Sequence, residues 1–264
     1  MTPGAPAAEA ITIRRIDQGR YKDRYYTVSG DPRISEDQRL PSVTTVLSII
    51  SKPALIPWAT NTALASVREV LVAQLAKEPV WAVNEETIDT WIAEARKRPD
   101  TVRDEAADLG TRAHIYIDRL LRGGELLELT PDIEPSINAF WAWYEATGLD
   151  AEITEYPLYS LTYLYAGTLD ARATRDGRKV ILDWKTSSGI YDEMALQAAA
   201  YWNADGEMTG EWADEVWIIR FPKKVEKKPF EARKVADPQA AFRGFTSALD
   251  LWRTMREPLW TASE

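Results

Sequence analysis

The dipeptide Asp176-Gly177 lies between two strand-like segments, and it constrains the fold more than any other local feature. Tight turns between antiparallel strands need a positive φ at both central positions, which Asp-Gly tolerates. The segment from Tyr165 to this turn and the segment 179–187 after it are therefore predicted to form a β-hairpin. A third strand-like segment, 151–160, precedes them.

Apolar residues recur at helical spacing before residue 151 and again near the end of the chain. This periodicity predicts helices over 43–50, 57–77, 85–98, 101–122, 133–147, 192–204 and 238–256. Strand-like patterns also predict a first hairpin over 11–30, broken at Gln18-Gly19, and later strands over 215–222 and 229–235. The order of elements predicts an α/β fold: a central mixed β-sheet flanked by helices, with a mostly helical N-terminal lobe.

The length of 264 residues suffices for one large domain or for a core with an accessory lobe. We predict a disordered lead-in over 1–10, an N-terminal hairpin and helical lobe over 11–100, and a core domain over 101–264. The sequence contains no run of ~18 apolar residues, as a membrane span would need, and its first residues lack the pattern of a secretion signal. These absences predict a cytoplasmic protein without a membrane partner. The alanine- and tryptophan-rich composition adds the prediction of a bacterial or phage-infected cell.

The sequence contains no cysteine, which excludes disulfides, zinc–cysteine sites, iron–sulfur clusters and thiol nucleophiles. Its single histidine, His114, excludes a metal site built from several histidines. The net charge of −9 argues against a protein that coats DNA, because such proteins bind phosphates through many lysines and arginines. The charge is compatible with an enzyme that binds DNA through a local basic groove.

Two acidic residues and one lysine are predicted to converge on the hairpin. Asp183 and Lys185 lie two positions apart on one strand, so their side chains share a face, while Trp184 points to the other. Asp170 lies on the preceding strand, and the turn brings it close to Asp183. Two adjacent carboxylates repel each other, and a divalent cation such as Mg²⁺ relieves that repulsion. The pattern therefore indicates metal-assisted phosphodiester hydrolysis.

Simpler interpretations exist for each of these residues. Asp170 alone is typical of a strand end at a turn, and Asp183-x-Lys185 is typical of a surface salt bridge. However, Ile181 and Leu182 precede the pair and indicate a strand that is buried on at least one side, where charged residues need a reason.

A wider set of motifs is similar to a known family. The motifs are Leu109–His114, Gly167–Asp170, Asp183–Ser187 and Gln197 with Tyr201, preceded by Pro41–Leu47 and Trp58-Ala59. In this order they resemble the PD-(D/E)xK nuclease superfamily, and within it the RecB-like branch of CRISPR-associated and phage exonucleases. The resemblance covers about residues 40–205 and implies a restriction-endonuclease-like core.

The resemblance implies roles for individual residues. Asp170, Asp183 and Lys185 would be catalytic, and Lys185 would orient or activate the attacking water. His114, Asp170, Asp183 and the backbone carbonyl of Trp184 would bind Mg²⁺ or Mn²⁺. Some relatives carry an iron–sulfur cluster, which this cysteine-free chain cannot hold. The residues implied to bind substrate are Gln197, Tyr201 and Thr186.

The function implied is a Mg²⁺- or Mn²⁺-dependent deoxyribonuclease, in particular an exonuclease of recombination, repair or phage replication. Its partners would be single-stranded DNA or the ends of double-stranded DNA, and a recombination or replication protein. Two alternatives stay open: a structure- or sequence-specific endonuclease on the same core, and a catalytically silent DNA-binding module.

Other interpretations of the remaining candidate site residues also stay open. His114 shares an apolar helical face with Ile117 and Leu121, as a core histidine would. Gln197 and Tyr201 share a helical face and are compatible with simple packing. Glu155, on the first core strand, is typical of an ordinary exposed charge, with a site role as the alternative.

The basic and aromatic segments also have two interpretations. The basic segments Arg14-Arg15, 96–98 and 223–228 fit phosphate contacts or solvated surface, and the aromatic residues of 140–144 favour a core position.

Overall fold

The computed structural model describes residues 11–18, 23–78, 81, 83–125 and 127–259. The predicted lead-in at 1–10 and the Gly19 end of the first turn lie outside these residues. The strands are β1 (Thr12–Gln18), β2 (Asp23–Ser29), β3 (Leu40–Pro41), β4 (Asp150–Ser160), β5 (Tyr165–Arg175), β6 (Arg178–Lys185), β7 (Glu215–Arg220) and β8 (Glu231–Lys234). The helices are α1 (Val43–Leu47), α2 (Leu55–Lys77), α3 (Glu85–Leu121), α4 (Glu134–Thr147), α5 (Asp192–Thr209) and α6 (Pro238–Thr254).

A five-stranded mixed sheet in the order β4-β5-β6-β7-β8 confirms the predicted α/β fold. The β6–β7 pair is parallel, and the other three neighbouring pairs are antiparallel. Asp176 and Gly177 have φ values of +50° and +74°, as their turn requires. This turn sets the β5–β6 register from Arg175 opposite Arg178 to Ala171 opposite Leu182.

Helices cover both faces of this sheet. On one face, the alanine-rich middle of α5 and the aromatic residues of α6 pack in a core with Leu158, Leu169 and Ile181 of the strands. On the other face, Trp143 of α4 contacts Trp184 of β6, with ring centroids 5.2 Å apart. Strand β6 is therefore buried on both sides, which explains its nearly continuous apolar sequence.

A small three-stranded sheet, β1-β2-β3, precedes the core strands. Beyond it, Ser42 caps α1 by accepting a hydrogen bond from the Thr45 amide. Ser42 also forms a parallel bridge with Ala166 of β5. Tyr26 of β2 reaches the same strand through a 3.1 Å hydrogen bond between its hydroxyl and that of Thr168. The first hairpin thus packs directly on the core sheet.

The described chain divides into two compact units. The first unit comprises the described residues within Met1–Ile50 and Ala113–Glu264, and the second comprises those within Ser51–Arg112. Helix α3 begins in the second unit and ends in the first. The domain limits at 11–100 and 101–264 remain predictions. None of the helices in the described ranges combines the length and apolar character needed to cross a membrane.

The prediction of separate helices over 85–98 and 101–122 was wrong. Helix α3 is continuous from Glu85 to Leu121, with Pro99 inside it. Proline normally ends a helix because it lacks an N–H and its ring crowds the carbonyl four residues earlier. Here the flanking turns continue the helix in spite of this cost.

We expect Pro99→Ala to raise the free energy of unfolding, because alanine restores the missing N–H and removes the clash. The gain should approach about 3 kcal/mol at most, the cost of proline relative to alanine inside a helix. Urea unfolding followed by circular dichroism measures it. The control is Pro238→Ala at the first turn of α6, where proline is favoured and no gain is expected. Equal effects of the two substitutions would contradict this account of Pro99.

Candidate metal centre

Three side chains from different elements meet in the first unit. Nδ1 of His114, on α3, lies 3.1 Å from Oδ1 of Asp170 and 3.8 Å from Oε1 of Glu155. One potential ligand atom from each residue lies within 4.8 Å of the others. We call these residues the acidic–histidine triad. An imidazole nitrogen and two carboxylate oxygens at this spacing are a possible site for a divalent cation.

Asp170 is fixed by a backbone hydrogen bond from the neighbouring strand. Its Oδ2 accepts the N–H of Trp184 at 2.6 Å, which leaves Oδ1 directed at His114. The β5–β6 ladder ends at Ala171 and Leu182, so Asp170 and Asp183 are the next residues along the two strands. The hairpin therefore places Asp170 beside Asp183, as its turn predicted.

Glu155 enters the triad through an irregular part of β4. Thr154 pairs with Ala171 and Tyr156 pairs with Leu169, so Glu155 lies level with Asp170. Its φ of +46° is left-handed, which is unusual for a residue with a side chain. The sequence pattern favoured an ordinary exposed charge here, because no local signal reveals the left-handed conformation. The structure instead brings its carboxylate to His114.

Asp183 and Lys185 form an adjacent ion pair, with Lys185 Nζ 2.5 Å from Asp183 Oδ2. The contact confirms that the two side chains share one face of β6. Asp183 is fully buried, and its Oδ2 makes no hydrogen bond of normal geometry in spite of this close charge contact. Its other oxygen, Oδ1, accepts a 3.3 Å hydrogen bond from the amide of Gln197. Asp183 lies next to the triad but is not part of it.

Gln197 and Tyr201, one turn apart on α5, are joined by a 3.0 Å hydrogen bond from the Gln197 amide to the Tyr201 hydroxyl. Tyr201 is only 5% exposed, and its ring lies over Gly167 of β5. These contacts link Tyr201 to Asp183 through Gln197. Thr186 follows Lys185 and is half-buried. The substrate roles of Gln197, Tyr201 and Thr186, and the metal role of the Trp184 carbonyl, remain predictions.

Burial and neighbouring charges shift the pKa values of the site in opposite directions. Burial raises the pKa of Asp183 to about 6, and Asp170 adds to this shift while Lys185 opposes it. Burial also acts to raise the pKa of Asp170, yet the charges of His114 and Lys185 and the Trp184 N–H hold it below its ordinary value. Burial acts to lower the pKa of His114, but Asp170 and Glu155 raise it to about 10. The imidazolium thus balances Asp170, a role that a divalent cation would take over.

The predicted aromatic core is confirmed for Phe140 and Trp143, which are buried against Trp184 and Phe221. Trp141 of the same helix is 40% exposed. In the basic loop, Lys224, Lys227 and Lys228 are exposed, so contact with phosphates stays a prediction.

The sequence matches no protein-family model and no curated protein. The chain is similar to a solved structure described as the crystal structure of SSO0001, with 11% identity and a TM-score of 0.31. The match covers 46% of this chain and 58% of that chain, so this chain spans less than two thirds of it. A likeness at this level assigns neither a family nor a function.

The His114–Asp170 ion pair should make stability depend on pH. Because the folded state raises the pKa of His114 from 6.5 to about 10, its stabilisation is present below pH 6.5 and lost as pH rises through 10. We expect the free energy of unfolding in EDTA to fall across this range relative to His114→Gln, which lacks the titrating group. Parallel pH profiles for the two proteins would contradict the ion pair.

Gly167 should be intolerant of a side chain, because a Cβ there would lie 2.4 Å from Cε1 of Tyr201. We expect Gly167→Ala to lower the free energy of unfolding by about 1–3 kcal/mol, a typical cost of overpacking. Urea unfolding measures the loss. Gly189→Ala is the matched control, since its added Cβ would meet its nearest neighbour at 3.6 Å. Similar stability of the two variants would show that Tyr201 moves aside freely.

Proposed function

We propose that this protein is a Mg²⁺- or Mn²⁺-dependent deoxyribonuclease that hydrolyses phosphodiester bonds, and specifically an exonuclease. The observation that carries the proposal is the Lys185 ammonium, 2.5 Å from Asp183 and beside the acidic–histidine triad. A surface salt bridge would not need a fully buried Asp183. The motif resemblance, from His114 to Tyr201, supports the same chemistry.

The donor set fits a hard divalent cation. Carboxylate oxygens are the ligands that Mg²⁺ and Mn²⁺ prefer, and the triad offers two carboxylates beside one imidazole. Asp183 adds a further buried carboxylate, whose Oδ2 lies beside the Lys185 ammonium. We propose that His114, Glu155, Asp170 and Asp183 hold the cation, together with the Trp184 carbonyl. When bound, it would supply positive charge to a phosphate that is being cleaved.

The remaining residues would bind and orient the reactants. Lys185 would position the attacking water and stabilise the negative charge that grows on the phosphate. Gln197 holds the Asp183 carboxylate in place, and with Thr186 and Tyr201 it forms the proposed substrate end of the site. The exposed lysines of 223–228 are available for further phosphate contacts.

The proposed substrate is single-stranded DNA or the end of a duplex, met during recombination, repair or phage replication in the cytoplasm of a bacterial or phage-infected cell. A recombination or replication protein is the proposed partner. An endonuclease would use the same chemistry, so it is the second candidate. The intact Asp183–Lys185 pair argues against a silent DNA-binding module, which would not need to keep a buried ion pair.

We expect Lys185→Ala to reduce cleavage of end-labelled DNA by at least about 100-fold, the lower range for loss of one proton-transfer or charge-stabilising group. Cleavage by the wild type should require Mg²⁺ or Mn²⁺ and stop in EDTA. DNA binding and the circular dichroism spectrum should change little. Lys179→Ala is the matched control, because Lys179 lies at the other end of β6 and pairs with the exposed Glu211.

Full activity of Lys185→Ala, or equal loss in both variants, would refute the role of Lys185. The same assay with closed circular DNA separates the two candidates, because an exonuclease needs an end and leaves the circle intact. Single- and double-stranded substrates in parallel would define the strand preference.

A further inference from the structure

Glu155 occupies a backbone conformation that its sequence does not favour. A φ of +46° brings the Cβ of a non-glycine residue close to backbone atoms, so such residues persist only where the surroundings hold them. At a turn such as that of Asp176, the reversal of the chain itself requires a left-handed residue. Glu155 lies inside a strand whose neighbours, Thr154 and Tyr156, keep their pairing with β5. Something other than a turn must therefore hold it.

The residue before Glu155 is held by three polar contacts from the end of α3. Arg122 Nε donates to the Thr154 hydroxyl at 3.0 Å, and Arg122 Nη2 donates to the Thr154 backbone carbonyl. The Thr154 hydroxyl in turn donates to Asp118. Asp118 and Arg122 are themselves paired at 2.6 Å. Thr154 is only 4% exposed, so its hydroxyl is buried beneath the half-exposed Arg122 side chain.

The carbonyl of Thr154 belongs to the peptide group that joins it to Glu155. Fixing that carbonyl fixes the plane of the peptide, and the φ of Glu155 is the rotation that follows it. We propose that Asp118, Arg122 and Thr154 form a clamp that holds Glu155 in its left-handed conformation, so that its carboxylate reaches the metal centre beside His114. The three are positioning residues, and the inference rests on the metal site of the proposed function.

The spacing along α3 supports this assignment. His114, Asp118 and Arg122 follow one another at intervals of four, which places them on one side of the helix end. The same turns that present His114 to Asp170 therefore also hold the strand that carries Glu155. One helical face thus sets the 3.8 Å separation between the His114 imidazole and the Glu155 carboxylate.

The first test separates a positioning role from a merely structural one. Thr154→Val keeps the shape of the side chain and removes the hydroxyl, whereas Thr154→Ser keeps the hydroxyl. We expect the Kd of the full chain for Mn²⁺, measured by calorimetry, to rise about 10- to 100-fold in Thr154→Val, the usual effect of losing an outer-shell partner. Thr154→Ser should restore it. The control Thr174→Val removes a hydroxyl that bonds Glu152 on the same strand pair, and it should leave Kd unchanged.

The second test uses the backbone strain itself and leaves every clamp contact in place. Glu155→Gly removes the carboxylate and also relieves the left-handed conformation, which glycine adopts freely. We expect this variant to bind Mn²⁺ more weakly than the wild type and to have a higher Tm than the wild type in EDTA. Glu155→Gln removes the charge but keeps the strain, so it should weaken Mn²⁺ binding without the gain in Tm.

The outcomes distinguish the clamp from the site. A wild-type protein that binds no Mn²⁺ would overturn the metal centre, and the clamp with it. Wild-type binding that Thr154→Val leaves unchanged would overturn the clamp alone and leave the proposed nuclease standing. Equal Tm values for Glu155→Gly and Glu155→Gln would overturn the strain on which the clamp rests.

Discussion

The hydrogen bond from the Trp184 amide to Asp170 is the contact on which the site depends. It joins β5 to β6 at the point where their ladder ends, and it uses one oxygen of a buried carboxylate to do so. The other oxygen is thereby directed at His114. Trp184 itself is held on the opposite face by Trp143, so the packing of the aromatic core fixes the donor of this bond. The aromatic core and the site thus lie on opposite faces of β6.

Much of this arrangement could be predicted from the sequence because short-range rules govern it. The Asp176-Gly177 turn fixes the register of β5 and β6, and the register places Asp170 beside Asp183. Alternation along a strand places Lys185 on the side of Asp183 and Trp184 on the other. These inferences need only two neighbouring strands and one turn type, and the structure confirms them.

The remaining features depend on contacts between distant segments. The left-handed Glu155 follows from Thr154 being held by Asp118 and Arg122, which no local pattern of β4 encodes. The continuity of α3 through Pro99 depends on turns on both sides of a residue that locally disfavours a helix. In both places the local preference of one residue is overridden by its surroundings, and the sequence prediction was wrong at Pro99 for that reason.

The division between the acidic–histidine triad and the Asp183–Lys185 pair follows from their charges. In the triad, the imidazolium of His114 compensates Asp170, so a cation that binds there must displace a proton. Asp183 is paired instead with the Lys185 ammonium. With a pKa raised to about 6, Asp183 gains its negative charge as pH rises through that value. The proposed metal centre would therefore offer a dication more negative charge at neutral than at acid pH.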